Sequence, residues 1–141
     1  MILMRYLLLT LFGCLALAAA RAERPEKAGT ARLLLEHASH DFGDVPRKGS
    51  TLVHEFGFTN GGEVPLVITR VVTSCSCLKA SYAKRPVAPG GKGYIRIAYE
   101  PRKSEPGTFH KVIQIYSNSA GGRDIVTVQG NSTDERPPRG R

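Results

Sequence analysis

The chain has 141 residues, a formal net charge of +8 and a hydrophobic share of 41%. That length allows one domain with one core, and a small core, since a domain of this size buries only about two-thirds of its unfolded surface. The basic residues are spread over the chain without a dense cluster, which suits a soluble protein with scattered positive charge better than a dedicated binder of nucleic acid, anionic lipid or acidic polysaccharide.

Met1–Arg5 is a short positive start, and Tyr6–Leu17 is an almost unbroken apolar run. Ala18-Ala19-Ala20 and Ala20-Arg21-Ala22 then put small residues ahead of the polar Glu23–Thr30. This is the layout of a secretory signal peptide over residues 1–22, cut after Ala20 or Ala22. The run falls short of the roughly 20 residues of a membrane span. The mature protein is therefore expected to be exported, periplasmic or extracellular, with no transmembrane segment. Leu11-Phe12-Gly13-Cys14 resembles a bacterial lipobox, an alternative in which Cys14 is a lipid anchor at the envelope. Against it stand the bulky Phe12 and the apolar Leu15-Ala16-Leu17 beyond Cys14. Leader removal takes away Arg5, and Arg21 under the later cut, leaving a net charge of +7 or +6.

Residues 23–31 read as a flexible linker, 32–131 as the folded domain and 132–141 as a disordered, Pro-containing tail. Leu33–Leu35 is a short apolar run whose edge His40-Asp41-Phe42 extends. Leu52–Thr59 alternates, with Leu52, His54, Phe56 and Phe58 on the heavier face. Asn60-Gly61-Gly62 permits positive φ and ends that strand, and Pro65 opens the next. Leu66–Thr73 is β-branched and apolar on parts of both faces, the pattern of a central strand. Pro89-Gly90 fits the middle of a type II turn. Gly93–Tyr99 places Ile95, Ile97 and Tyr99 on one face. After the break at Pro106-Gly107, His110–Ser117 places Ile113 and Ile115 on one face, with Val112 and Tyr116 on the other. Asn118–Gly122 is a polar loop, and Asp124–Gln129 is the last strand. No segment keeps helical spacing. About seven short strands between turn signals predict an all-β, immunoglobulin-like sandwich, with a small closed barrel as the rival.

Ser74-Cys75-Ser76-Cys77 holds the two cysteines that remain after the leader. On an extended strand, alternate residues share a face but stand too far apart for a disulfide, whose Cβ atoms lie roughly 3.8 Å from each other. Three readings follow: buried thiols at a strand end, a local Cys75–Cys77 disulfide that needs a bend, or a thiolate pair gripping a soft metal such as copper(I). The auxiliary ligands for the last are His37, His40, His54 and His110, none at a familiar metal-site spacing. Asn131-Ser132-Thr133 matches an N-glycosylation sequon. The chain has no phosphate-cradling glycine loop, zinc helix, nucleophile elbow or calcium loop, so no catalytic residue and no cofactor is expected. The leading functional expectation is a non-catalytic binding or scaffold module with an unidentified protein or envelope partner. The alternatives are a thiol-redox or soft-metal protein using Cys75 and Cys77, and a charge-driven binder of acidic polymers.

Taken together, these elements resemble the bacterial Domain of Unknown Function 1573 family from about His40 to Gly130. The shared pieces are Asp41-Phe42-Gly43-Asp44-Val45, Lys48-Gly49, Phe56, Phe58, Asn60-Gly61 and Pro65-Leu66-Val67-Ile68. Ser74-Cys75-Ser76-Cys77, Pro89-Gly90, Ile95, Tyr99, Gly107, Phe109, Ser117-Asn118 and Gly130 complete them. The resemblance implies an immunoglobulin-like sandwich similar to those of hydin-type ciliary proteins and the major sperm protein, mostly exported and with no established activity. Family members usually carry Gly between the cysteines where this chain has Ser76, and Ser tolerates a positive φ less well.

Overall fold

The computed structural model describes residues 29–134. The leader, Cys14, the first part of the linker and residues 135–141 lie outside that range. Eight strands run in chain order: β1 Leu33–Leu35, β2 Ser39–Pro46, β3 Leu52–Asn60, β4 Ile68–Thr73, β5 Leu78–Tyr82, β6 Lys92–Tyr99, β7 Gly107–Ser117 and β8 Arg123–Thr133. A single 3-10 turn, Pro101–Lys103, separates β6 from β7.

Two four-stranded sheets face each other, ordered β1-β3-β6-β5 and β2-β8-β7-β4. All ladders are antiparallel except β2 with β8, which is parallel. The period of two sorts the side chains. Phe56 and Phe58 on β3, Ile95, Ile97 and Tyr99 on β6, Ile113 and Ile115 on β7, and Val126 and Val128 on β8 all point inward and are buried. Each such side chain contributes about 1.5–3 kcal/mol through removal from water. Ile125 on β8 and Val72 on β4 alternate outward and are exposed.

The sandwich and the inward faces of β3, β6 and β7 agree with the sequence pattern, but four expectations need correction. His40-Asp41-Phe42 does not extend the β1 edge. It belongs to β2, in the opposite sheet, where Gly43 (φ +67°) bulges the strand and donates its N–H to Asp41 Oδ1 at 2.7 Å. β4 is an outer strand, not a central one; the apolar character of the stretch comes from Leu66, just ahead of β4, and Ile68 facing the core and from Val72 lying exposed. Asn60, Gly61 and Gly62 have no positive φ. The glycines are needed for space instead, since a Cβ on Gly62 would stand 2.2 Å from the Thr30 carbonyl oxygen. Finally, β8 runs on through Ser132 and Thr133, two residues past the expected domain end, and Ala31, one residue before its expected start, is buried and bridged to Ser119.

Pro89-Gly90 forms the expected turn: Gly90 has φ +76° and Gly91 N–H donates to Ala88 C=O at 2.8 Å. Asn60 is the main polar group inside the fold. It is fully buried, and its side-chain amide donates to the Val64 and Val87 carbonyls at 2.8 and 2.9 Å. Its Oδ1 accepts from Gly62 N–H at 2.9 Å and Arg32 N–H at 3.3 Å. One side chain thus joins the approach to β1, the β3–β4 loop and the strand-like segment around Val87.

Candidate functional site

A cleft beside β6 follows from where β5 stops. β5 and β6 stay in register from Leu78–Tyr99 to Tyr82–Ile95. Pro86 then offers no N–H for a ladder. The chain leaves β6 for an isolated bridge just ahead of β4, where Val87 and Leu66 exchange both backbone hydrogen bonds at 2.8 Å. β6 meanwhile continues through Tyr94, Gly93 and Lys92, paired with β3 on one flank only.

The orientation of that flank is fixed by bonds at the two ends of β6. Asn60 N–H donates to Gly91 C=O on the β3 side, and Glu100 N–H donates to Cys77 C=O on the β5 side. Alternation then turns the backbone groups of odd-numbered β6 residues toward β3 and of even-numbered ones toward β5. Lys92 and Tyr94 therefore aim their N–H and C=O at the vacated flank. The resulting cleft is about 410 Å³, with buried Phe58, Leu66 and Ile68 among its lining. Phe58 lies against Gly93, its cross-strand partner, so closely that a Cβ there would stand 2.5 Å from the ring. Arg85 and Lys92 are exposed cations at this cleft, and its lining includes no Asp, Glu, His, Cys or Ser. Tyr82 ties the end of β5 to β4, its hydroxyl donating to Thr69 C=O at 3.4 Å, while Lys84 Nζ donates to that hydroxyl at 2.9 Å.

Cys75 and Cys77 sit at the other end of β4. The chain passes from β4 to β5, and so from one sheet to the other, through Ser74–Cys77. The turn closes with Leu78 N–H on Cys75 C=O at 3.2 Å. The bend brings the two Cα atoms to 5.1 Å, and the sulfurs are joined as a disulfide. Ser76 has no positive φ, so the turn makes no demand for glycine there. Cys77 is fully buried, Cys75 half-buried and Ser76 exposed. Ser74 anchors the turn to β7: its N–H donates to Val112 C=O at 3.0 Å, and its Oγ accepts from Val112 N–H at 3.1 Å.

The histidines do not join the cysteines. Among the described residues no group of three or more His, Cys, Asp or Glu is placed to hold a metal ion. His40 and His54 stack across the seam between β2 and β3, ring centroids 3.6 Å apart and planes within 9°. Burial holds the His54 pKa below its ordinary value, and the neighbouring His40 and His37 add to this against the opposing Glu55. His37 and His110 are exposed. Glu100, next to the cystine turn, accepts hydrogen bonds from Lys103 at 2.6 Å and Lys79 at 2.7 Å, which bring its pKa down to about 2. A second, shallower hollow holds Asp41 and Asp44, whose carboxylates accept from Gln129 and Asn131 side-chain amides.

The cleft was not foreseen from the sequence. Pro86 was its one available signal, because a proline shortly after a strand marks where pairing ends.

Residues 33–132 match the family described as "Protein of unknown function (DUF1573)", and the chain belongs to that family. A comparison with curated proteins gives no match. Among solved structures the fold is similar to a protein of unknown function from Porphyromonas gingivalis W83, with TM-score 0.62 and 23% identity over 73% of this chain and 46% of that one. It is also similar to the ASH/PapD-like domain of human CEP192, with TM-score 0.60 and 11% identity over 84% of this chain and 98% of that one. A third likeness is to the VesB protease of Vibrio cholerae, with TM-score 0.56 and 16% identity over 72% of this chain and 32% of that one. The chain thus spans less than half of the Porphyromonas protein and about a third of the protease. At these identities the likenesses show the fold alone.

Proposed function

We propose that this chain is an exported, non-catalytic binding or scaffold module of the cell envelope, released by cleavage after Ala20 or Ala22. The observation that carries the reading is the composition of the cleft beside β6. Apolar side chains, a bare backbone edge and two cations can hold a partner, and the lining carries no carboxylate, imidazole, thiol or aliphatic hydroxyl. The absence of any helix long and apolar enough to cross a membrane among the described residues is consistent with a module that is not integral through a helix.

The test is site-specific photo-crosslinking in the native host from position 88, with intact-mass analysis of the recovered protein. Ala88 is exposed and lines the cleft. The expected result is a discrete protein adduct on a chain whose leader has been removed. A chain recovered uncut from the cytoplasm, or substrate turnover by the purified mature domain that a point change abolishes, refutes the proposal. A lipid on Cys14 would place the same module on a membrane surface.

A second reading is favoured by the unequal exposure of the two sulfurs' residues. With Cys77 buried and Cys75 half-exposed, a partner thiolate would attack Cys75 Sγ and displace Cys77 as the leaving thiolate. This reading makes the turn a thiol-exchange or, once reduced, a soft-metal site. It fails if Cys75→Ser and Cys77→Ser leave thiol reactivity and metal content unchanged.

A further inference from the structure

A strand edge inside a domain usually has a neighbour, and the flank of β6 beyond Tyr82 has none. We infer that this flank receives an extended segment of a partner protein as an added strand, in which one bulky apolar side chain is flanked by carboxylates. The inference rests on the binding-module reading and names what fills the cleft.

Three features select that occupant. The first is backbone chemistry. Lys92 and Tyr94 present N–H and C=O groups along one line, which an extended peptide satisfies by continuing the sheet. The second is side-chain parity. Gly93 and Ile95 face inward and Lys92 and Tyr94 face outward, as the alternating burial of β6 shows. A strand added beside β6 therefore directs the side chain opposite Gly93 toward Phe58, Leu66 and Ile68. The Phe58 ring already covers Gly93, so that side chain packs beside the ring, in the cleft of about 410 Å³ that the ring helps to line. The third is charge. The neighbours of that inward residue point outward beside Lys92 and near Arg85, and no carboxylate in the lining offsets these cations. Carboxylates at the outward positions complement them, whereas lysines would be repelled.

Selection from a displayed library of random peptides about nine residues long, using the mature domain, tests this. The expected outcome is enrichment of peptides that alternate a central bulky apolar residue with Asp or Glu. Binding of the resynthesised winner should weaken about tenfold in Arg85→Glu/Lys92→Glu, a double change at two exposed positions that leaves the fold intact. It should be lost when alternate backbone amides of the peptide are N-methylated, and lost in Tyr94→Pro, which removes an N–H that β3 does not use. Winners without acidic bias, or binding that survives the charge reversal, overturn the acidic partner. Binding that survives both N-methylation and Tyr94→Pro overturns strand addition. A domain that dimerises in sedimentation and becomes monomeric in Tyr94→Pro overturns it too, by assigning the edge to a second copy. No enrichment at all also refutes the inference. In that case a photoadduct from position 88 would leave the broader binding-module reading standing, and its absence would remove both.

Discussion

Replacing Asn60 with Ala should bring the domain close to unfolding. The change strips partners from the Val64 and Val87 carbonyls and from the Gly62 and Arg32 amides. Arg32 lies at an exposed position and its bond is the longest, so water takes that one over. The other three are each worth about 1 kcal/mol net, and more at Val64 and Gly62, since the Val87 carbonyl keeps the Leu66 N–H, which gives a loss of roughly 3–5 kcal/mol. Against a typical total of about 5–15 kcal/mol this is a large share. With a urea slope near 1.5 kcal/mol/M, the unfolding midpoint should drop by about 2–3 M. Asn60→Asp sharpens the test, because a carboxylate oxygen would face the two carbonyls that now receive N–H groups. Burial and that repulsion raise the new group's folded pKa. Its protonated form is the tolerated one, so relative to the native chain the variant is most stable below the ordinary carboxylate range and loses stability as pH rises. Urea titrations of native chain and both variants at about pH 4.5 and about pH 7 supply the comparison. An alanine variant that loses less than about 1 kcal/mol refutes the reasoning, as does an aspartate variant that is relatively more stable at the higher pH.

Gly93→Ala puts a methyl 2.5 Å from the Phe58 ring and should cost about 1–3 kcal/mol. A thermal melt unchanged from native would mean the ring is free to move aside, and adding Phe58→Leu should restore part of any loss. His54 resists protonation in the fold, so stability is fully present above the ordinary histidine value of 6.5 and declines as pH falls through it. His54→Gln should flatten the urea midpoints between about pH 7.5 and about pH 5. Glu100, held down to about 2, contributes stability above its ordinary 4.5, and that contribution is lost as pH falls through about 2. Glu100→Gln should flatten this acid limb, and NMR titration of the carboxyl gives the value directly. The Tyr99 hydroxyl is buried without a protein partner, so Tyr99→Phe should leave stability unchanged or raise it by up to about 1 kcal/mol. A clear loss would reveal a bound water holding the hydroxyl.

Strand positions whose side chains alternate cleanly were legible from the sequence, because burial on one face writes a period of two into the residues themselves. Ile95, Ile97 and Tyr99 show this plainly. Neighbour relations across the sandwich were not. Leu66–Thr73 carries the composition of an inner strand because Leu66, ahead of β4, and Ile68 serve the core while Val72 is left outside, and composition does not record which strand lies next door. β5 went unseen because Leu78–Tyr82 alternates Leu, Ala and Tyr with Lys and Ser over only five residues. The cystine turn was half legible: the sequence showed that bonding needs a bend, and only the change of sheet after Thr73 supplies one. Asn60 looked like a turn residue, since nothing local tells a solvent-facing amide from one that gathers three distant segments.

The parallel ladder of β2 with β8 has a mechanical consequence. The chain enters beside Ser119, where Ala31 bridges to it, and leaves beside Arg47, whose N–H donates to Thr133 C=O. The eleven residues of β8 lie between these poles, a distance of about 35 Å. Tension applied across the two ends drags β2 and β8 past each other lengthwise. Their hydrogen bonds then share the load at once instead of opening one by one like a zipper. Strung between two anchors, the domain would act as a stiff link that yields abruptly, at a force set by how fast that whole ladder shears.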